Sequence, residues 1–221
     1  MTKAAKPKIA GVIFSRPDFD RATRMRNPPD LFELRLDAFG AATNAIRDRV
    51  EKLGAGIIVT ARHPREGGAN QLSARKRSEL LLSFLPQAGW VDLELRSAAT
   101  MAAVLQAARK DGVRTILSFH DFQRTPSATQ LDELARQAHS FGPDLFKVAM
   151  RTDTPAQLDR LLEFFERQRS SAKVVAMGIG KLGRRSRLEL ARRGCALNYA
   201  HLGSARVEGQ LSIPELRRAL R

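Results

Sequence analysis

The amino-acid sequence predicts an α/β protein that folds as a (β/α)8 (TIM) barrel. Two observations lead to this fold class. Short β-like runs alternate with helix-like segments along the chain, and the alternation supplies eight strands, which favours closure into a barrel. The chain has 221 residues, of which 43% are hydrophobic, so it is long enough for one sizeable core. We expect residues 1–221 to form a single barrel domain near the lower end of the size range for this fold.

The order of the predicted elements favours a parallel sheet. The predicted strands are residues 8–14, 32–39, 56–62, 90–95, 114–122, 145–150, 173–179 and 196–202. Helical spacing of apolar residues predicts helices over residues 41–53, 73–85, 98–109, 127–140, 154–167, 182–193 and 213–220. Eight strands that alternate with helices favour closure into a barrel, and an open, doubly wound sheet is the alternative.

Local signals define several helix ends. Ser212 is a plausible N-cap for the last helix, and Thr154-Pro155 is typical of a helix start. Gly112 and Gly194 follow helix-like runs and indicate C-terminal stops. Residues 15–30 contain three prolines, so any first helix there must be short.

The composition limits the partners that the chain can bind. The formal net charge is +15, and such a surplus attracts nucleic acid, anionic membranes or small acidic substrates. The basic residues are scattered, and the 6% of aromatic residues do not interleave with them, which argues against nucleic acid. Cys195 is the single cysteine, and no apolar stretch reaches membrane-spanning length. We therefore expect a cytoplasmic protein that binds neither nucleic acid nor a membrane.

Charged residues alternate with leucines along two predicted strands. Glu33, Arg35 and Asp37 share one face of the second strand, and Asp92 and Glu94 share one face of the fourth. A half-exposed antiparallel strand would alternate in the same way, but a βαβα pattern leaves no solvent-facing side to the sheet. The leucines should therefore pack on the helices while the charged residues point into the barrel. Buried charges must be paired or have a function, and an internal ion-pair network is one such use.

The other charged strand residues lie near strand C-terminal ends. Arg62 ends the third predicted strand, His120 lies near the end of the fifth, and Lys147 lies in the sixth. Barrel active sites are built at that rim from the ends of several strands. One pocket should therefore collect Glu33, Arg35, Arg62, Glu94, His120 and Lys147.

Lys147 is the candidate nucleophile of this pocket. Its strand neighbours Phe146, Val148 and Met150 provide an apolar setting that favours the neutral amine, which can attack a carbonyl to form a Schiff base. His120 is a suitable proton shuttle. Either Glu66 or Glu94 could orient it, and the arginines would hold an anionic, hydroxylated substrate. No Cys/His cluster has metal-ligand spacing, so we expect no metal.

Seven short motifs, in order along the chain, resemble those of the type I 3-dehydroquinate dehydratases. The motifs are Glu33–Asp37, Arg62 with Glu66-Gly67-Gly68, Asp92–Leu95, Ser118–Phe122, Lys147–Met150, Met177 with Ser186-Arg187-Leu188, and Ser204-Ala205 with Gly209-Gln210. The resemblance implies a (β/α)8 barrel and a hydro-lyase of the shikimate pathway to chorismate and aromatic amino acids. It implies dehydration of 3-dehydroquinate to 3-dehydroshikimate through a lysine Schiff base, without a cofactor. A homodimer is common among such proteins.

The same resemblance implies a role for each matching residue. Lys147 would form the Schiff base, His120 would be the general acid and base, and Glu66 would support it. The substrate-binding residues that it implies are Glu33, Arg35, Arg62, Arg187, Ser204 and Gln210. The residues by themselves do not point to Arg187, Ser204 or Gln210.

Two departures from the family pattern concern the two ends of the chain. The usual Ser-Ala-Pro-Gly-Gln lid motif is here residues 204–210, two residues longer and with added charge, so Ser204, Arg206 and Gln210 all remain candidates for substrate contact. No N-terminal hairpin that would cap the barrel is evident, and the first helix is short. Two other functions stay open on the residues alone: another Schiff-base barrel lyase or aldolase that acts on a hydroxylated anion, and a non-catalytic basic binding protein.

Overall fold

The computed structural model describes residues 7–169 and 173–220. Strands β1 to β9 are Lys8–Ile13, Leu31–Arg35, Gly56–Thr60, Trp90–Glu94, Arg114–Asp121, Leu145–Arg151, Val174–Ile179, Leu197–His201 and Leu211–Ser212. Helices α1 to α9 are Arg16–Ala22, Leu36–Phe39, Thr43–Arg47, Ala74–Phe84, Ala102–Lys110, Ala128–Ser140, Pro155–Gln168, Gly183–Arg192 and Ile213–Ala219. Single 3-10 turns cover Gly40–Ala42, Val50–Leu53, Pro64–Glu66, Leu85–Gln87 and Leu95–Ser97.

The sheet is parallel and curls back on itself. The strand order is β7-β6-β5-β4-β3-β2-β1-β8-β9, so β8 returns to pair with β1. In that pairing Lys8 lies opposite Leu197 and Val12 opposite His201. Helices α4 to α8 follow β3 to β7 in turn and cover the outside of the strands. This arrangement confirms the predicted barrel, including its short first helix, which has only seven residues.

The alternating strand pattern separates an apolar outer face from a polar interior. Outward-facing residues such as Leu34, Val59 and Leu93 are at most 1% exposed and belong to the main hydrophobic core. Burial of each such side chain contributes about 1.5–3 kcal/mol, so the leucines of the mixed strands stabilise the helix–sheet interface. Inward-facing residues such as Asp92 and Lys147 are equally buried but charged. The predicted division between the two faces is therefore confirmed for β4, and Lys147 of β6 likewise projects inward.

Helix starts agree closely with the local sequence signals. Ser127, Thr154 and Ser212 each form a capping box, in which the side chain accepts a hydrogen bond from the backbone N–H three residues later. The N-cap predicted at Ser212 and the helix start predicted at Thr154-Pro155 are confirmed. Strand β9 was not predicted from the sequence. It extends the sheet beyond β8 through the pairing of Ala200 with Leu211.

The second strand is shorter than predicted, and Asp37 does not lie on it. Strand β2 ends at Arg35, and Leu36–Phe39 turn into α2. The buried Asp37 carboxylate accepts hydrogen bonds from the Arg35 side chain and from the backbone N–H groups of Arg62 and Ala69. These donors come from the ends of neighbouring elements, so they hold the chain in a turn where the alternating pattern had indicated a strand. The prediction for residues 36–39 was therefore wrong.

Two predicted helices are also modified. Residues 41–53 form two 3-10 turns around α3, because the N–H groups of Arg49 and Lys52 bond three residues back in the tighter 3-10 pattern. The helix predicted to start at residue 98 starts at Ala102, after the 3-10 turn Leu95–Ser97. Within the described residues, no helix is both long and apolar enough to cross a membrane.

Candidate active site

The C-terminal ends of the strands enclose a cavity into which several charged side chains project. Its volume is about 350 Å³, within the range of small-molecule sites. The cavity is lined by Val12, Phe14, Glu33, Arg35, Arg62, Glu66, Gly67, His120, Phe122, Lys147, Ala149, Met177, Ile179, Arg187, Tyr199, Arg206, Val207 and Gln210. These residues come from most of the barrel strands and from the loop after β8, so the cavity lies at the rim where barrel enzymes place their active sites.

Lys147 lies deep in this cavity. Strand β6 projects it inward on the same face as Ala149, and its side chain is 3% exposed. Its ammonium contacts the Asp92 carboxylate closely and lies 3.7 Å from Oε1 of Glu33. The apolar strand neighbours used in the sequence prediction are therefore not the only surroundings of Lys147, because two buried carboxylates contact the reactive nitrogen.

Arg62 shares the same carboxylates. Its Nη1 atom lies 3.0 Å from Oδ1 of Asp92 and 3.3 Å from Oε1 of Glu94, and its Nη2 atom lies 3.6 Å from Oε1 of Glu33. Burial would raise the pKa of Asp92, but the charges of Arg62 and Lys147 outweigh it and hold that pKa well below its usual range. The Glu33 and Asp92 carboxylates are therefore the counter-charges of two buried cations.

Glu94 belongs to a second, deeper ion pair. Its Oε2 atom accepts a hydrogen bond from Arg77 at 2.8 Å, and its Oε1 atom accepts one from the backbone N–H of His63. Glu94 is fully buried and does not line the cavity. Of the two carboxylates that could orient His120, Glu94 thus bonds Arg62 and Arg77 instead.

His120 pairs with the other candidate, Glu66. Oε2 of Glu66 lies 3.0 Å from both the Nδ1 atom and the backbone nitrogen of His120, while Oε1 lies 2.8 Å from Nε of Arg96. Burial raises the pKa of Glu66 to about 7, although the nearby Arg62 and Arg96 charges lower it. Burial, together with the charges of Arg62 and Lys147, holds the pKa of His120 well below its usual value. The imidazole is therefore neutral at pH 7 and available as a base.

Arg35 is oriented by a fork of two hydrogen bonds. Its Nε and Nη2 atoms donate to Asp37 at 3.0 and 2.9 Å, and Nη2 also donates to the Gly67 carbonyl. The guanidinium lies 4.9 Å from the centre of the Phe14 ring. Burial would raise the pKa of Asp37, but Arg35 and the backbone N–H donors lower it overall. The pair fixes Arg35 at the edge of the cavity.

Arg187 is a buried cation without a carboxylate partner among the described residues. It projects from α8, is 5% exposed, and donates only a 3.3 Å hydrogen bond to the Tyr199 carbonyl and a weak 3.6 Å one to Met177 Sδ. Its Nε atom has no partner in the described chain. Burial lowers the pKa of Arg187 to about 10. An arrangement of this kind is suited to an anionic ligand.

The loop after β8 closes one side of the cavity. Gln210 lines it and accepts a hydrogen bond from the backbone N–H of Arg206, whose guanidinium lies 3.4 Å from Asp18 and 4.6 Å from the centre of the Phe14 ring. The Glu208 carbonyl accepts a hydrogen bond from Gly180, which ties the loop to the turn after β7. Ser204 is exposed and does not line the cavity. Of the three candidates left open by the sequence, Arg206 and Gln210 reach the cavity.

Comparison with known protein families agrees with this arrangement. A family model described as type I 3-dehydroquinase matches residues 17–221. The chain belongs to the type I 3-dehydroquinase family.

Individual type I 3-dehydroquinases and related proteins resemble the chain over nearly its full length. A 3-dehydroquinate dehydratase from Thermococcus gammatolerans is 34% identical over 220 residues, which is 96% of this chain and 97% of the relative. A solved 3-dehydroquinate dehydratase from Geobacillus kaustophilus has a TM-score of 0.88 at 27% identity and covers 98% of this chain and 90% of its own. A type I enzyme from Clostridium difficile, solved with covalently modified comenic acid, shares the fold with a TM-score of 0.87 at 24% identity, covering 97% and 91%.

In this member of the family the cavity contains eight of the nine predicted site residues. They are Glu33, Arg35, Arg62, Glu66, His120, Lys147, Arg187 and Gln210, and Ser204 lies outside. Reasoning from residues alone missed Arg187, because it lies on a helix among several other arginines. Tyr199 was also missed. Its inward position in β8 follows from the same period-two rule, but no charge marked that strand.

Proposed function

We propose that this chain is a 3-dehydroquinate dehydratase that converts 3-dehydroquinate to 3-dehydroshikimate and water through a Schiff base on Lys147. The observation that carries the proposal is a cavity that contains a buried lysine, a neutral histidine held by a carboxylate, and the Arg187 cation, which has no carboxylate partner among the described residues. Membership of the family supports the reaction. The proposal takes residues 1–221 as one catalytic domain.

Lys147 would act as the nucleophile. Its amine attacks the ketone of the substrate, and loss of water gives an iminium that is covalently bound to the protein. The nitrogen attacks in its neutral form, and Asp92 and Glu33 lie next to it. These carboxylates then compensate the positive charge of the iminium, so they stabilise the intermediate.

His120 would move the protons. The Glu66 carboxylate, when ionised, accepts from Nδ1–H of His120, which leaves Nε2 as the basic nitrogen. His120 removes the proton from the carbon next to the iminium, and the electron pair moves into an enamine. The enamine expels the β-hydroxyl, which takes the proton from His120 and leaves as water. Hydrolysis of the remaining iminium returns the lysine, so one molecule of water is lost in the whole cycle.

The arginines and polar side chains would position the substrate. Arg187 lacks a carboxylate partner in the described chain, so we assign it the substrate carboxylate. Glu33, Arg35 and Arg62 lie where they could bind the substrate hydroxyls, and Gln210 would close the site from the loop. Ser204 would contact substrate only if the loop moved inward from its exposed position.

The chemistry also defines the biological setting that we propose. The iminium itself is the electron sink, so the reaction needs no cofactor. The product would serve the shikimate pathway to chorismate and the aromatic amino acids in the cytoplasm. Assembly as a homodimer stays a prediction, as does the absence of nucleic acid and membrane partners.

Trapping of the iminium tests the proposal. The protein is incubated with 3-dehydroquinate and borohydride, and the intact mass is measured. We expect a stable adduct that maps to Lys147 by peptide analysis, together with growth of the enone absorbance of 3-dehydroshikimate in the absence of borohydride. If the folded wild-type chain gives neither the adduct nor the enone signal, the assignment is refuted.

A pair of lysine variants provides the control. Lys147→Ala should abolish both the adduct and the enone signal. Lys181→Ala removes an exposed lysine in the turn after β7 and should leave both unchanged. An adduct that persists in Lys147→Ala would show that another lysine reacts, and would overturn the role of Lys147 while leaving the overall activity to the absorbance assay.

A further inference from the structure

Tyr199 lies directly against the reactive nitrogen and has no role in the proposed transfer of protons or binding of substrate. Strand β8 projects it into the barrel, where its side chain is 5% exposed. The Nζ atom of Lys147 lies over the aromatic ring, 4.4 Å from its centre. This distance is well within the range at which an ammonium is attracted by the negative face of an aromatic ring.

We propose that Tyr199 is a further catalytic residue, whose ring face stabilises the positive charge on the Lys147 nitrogen when that nitrogen becomes the iminium. This inference rests on the proposed Schiff-base function. The contact between Lys147 and the Tyr199 ring is separate from the hydrogen bonds and ion pairs of the carboxylate network.

The need for such a contact follows from a loss of N–H donors. The resting ammonium has three N–H groups, which can be shared between Asp92 and Glu33. The protonated imine has one N–H group, and its positive charge spreads onto the neighbouring carbon. One donor cannot bond both carboxylates equally well. A ring face attracts a cation without requiring a hydrogen, so it can stabilise the delocalised charge that the carboxylates hold less well.

The phenol is suited to remain a neutral π surface. Its hydroxyl is buried and has no hydrogen-bond partner in the described part of the chain. Burial, and then the negative charges of Glu33 and Asp92, raise the pKa of Tyr199 well above its usual value. The hydroxyl is therefore unsuited to proton transfer, and the aromatic face is the part of the side chain that the reaction can use.

The backbone of Tyr199 also connects the nucleophile to the proposed anion site. Its carbonyl accepts the 3.3 Å hydrogen bond from Arg187. One residue of β8 thus contacts both the nitrogen that would form the iminium and the arginine that would bind the substrate carboxylate. Substitutions must therefore be designed to change the ring without displacing the strand.

A series of variants that differ in the electron density of the ring at position 199 tests the inference. Tyr199→Phe is the reference, because it removes the hydroxyl and keeps the ring. Phenylalanines with one, two and three fluorines are then incorporated at position 199. Each fluorine reduces the negative electrostatic potential of the ring face with little change of shape. We expect kcat to fall stepwise with each fluorine, while KM changes by less than about threefold, since the contact strengthens mainly after imine formation.

Removal of the ring gives the end point of the series. Tyr199→Leu should lower kcat about 30-fold relative to Tyr199→Phe, as expected for a desolvated cation–π contact of about 2 kcal/mol. Thermal unfolding of each variant identifies any loss of folding. A kcat that is flat across the fluorinated series would overturn the inference even if Tyr199→Leu is impaired, because the impairment would then be structural.

The wild-type trapping experiment separates the two proposals. An adduct at Lys147 in the wild-type chain, combined with a flat fluorine series, would refute only the role of Tyr199. No adduct in the wild-type chain would refute the Schiff-base function and the role of Tyr199 together. An adduct with a stepwise decline of kcat would support both.

Discussion

Replacement of Arg187 by methionine should make the substrate-free protein more stable and its substrate binding weaker. Arg187 is 5% exposed, and no described carboxylate lies within ion-pair distance of its guanidinium. A buried cation of this kind destabilises the folded state until an anion arrives. Methionine has nearly the same length and is apolar, so it removes the charge while filling most of the same space.

The size of the effect follows from the lowered pKa. Burial brings the pKa of Arg187 to about 10. At about 1.4 kcal/mol for each pKa unit, this lowering corresponds to about 3 kcal/mol. The lost hydrogen bond to the Tyr199 carbonyl offsets about 1 kcal/mol of it. A net gain of about 2 kcal/mol should raise Tm by about 4–8 °C in a chain of this size.

The sign of this effect is definite over the physiological range. The folded state disfavours the protonated form, and below pH 10 Arg187 is protonated in both the folded and the unfolded chain. The destabilisation is therefore fully present at pH 7 and would disappear only as the pH rises through and above the folded pKa. Calorimetry at pH 7 without substrate measures the gain.

Binding should change in the opposite direction. Loss of a charge-assisted hydrogen bond worth about 2–3 kcal/mol should raise KM about 100-fold in the enone assay. Arg185→Met is the matched control, because Arg185 lies on the same helix but is exposed and paired with Glu189. That control should change both quantities little. A lower Tm for Arg187→Met, or an unchanged KM, would refute the reasoning.

Three further predictions concern the other parts of the site. Because burial raises the pKa of Glu66 to about 7, wild-type kcat should increase from pH 6 to 8 as this carboxylate ionises, and Glu66→Gln should lack that limb of the pH–rate profile. At low salt, Arg206→Gln should raise KM about fivefold relative to wild type, in keeping with a surface charge contact of about 1 kcal/mol. At high salt the KM values of the variant and the wild type should differ less, because salt screens the contact. Asp37→Asn should lower Tm at pH 7, because the pKa of Asp37 is lowered on folding and its ionised form therefore stabilises the folded chain. This stabilisation is lost as pH falls through the folded pKa, so the Tm values of the wild type and the variant should converge in acid.

The sequence allowed the prediction of most of the barrel, and residue patterns alone pointed to five of the eight predicted site residues that line the cavity. Alternation of β-like and helix-like segments sufficed to predict strands β1 to β8, because each strand and helix leaves a local periodic pattern. The inward charges of β4 followed from the same periodicity, while Arg62 and His120 were predicted from their places near strand C-terminal ends and Lys147 from its place within an apolar strand. Where alternation came from a turn rather than a strand, as at Asp37, the same rule failed.

Other features depended on contacts between residues far apart in the chain. Glu66 and Glu94 were equal candidates to orient His120, and only the structure separates them: Glu66 lies 3.0 Å from Nδ1, while Glu94 bonds Arg77 and Arg62. The arrangement of Lys147 between Asp92 and the Tyr199 ring is likewise a property of three different strands.

The sequence by itself determined which residues face the barrel interior, because strand periodicity is a local property that hydrophobic burial enforces. It also determined, through motif order, which family the chain resembles. The tertiary structure alone decided which interior charges pair and which stays unpaired, since strand register and side-chain reach set distances that no local pattern encodes. Arg62 and Lys147 thus share buried carboxylates, while Arg187 has none among the described residues and is left for an anion.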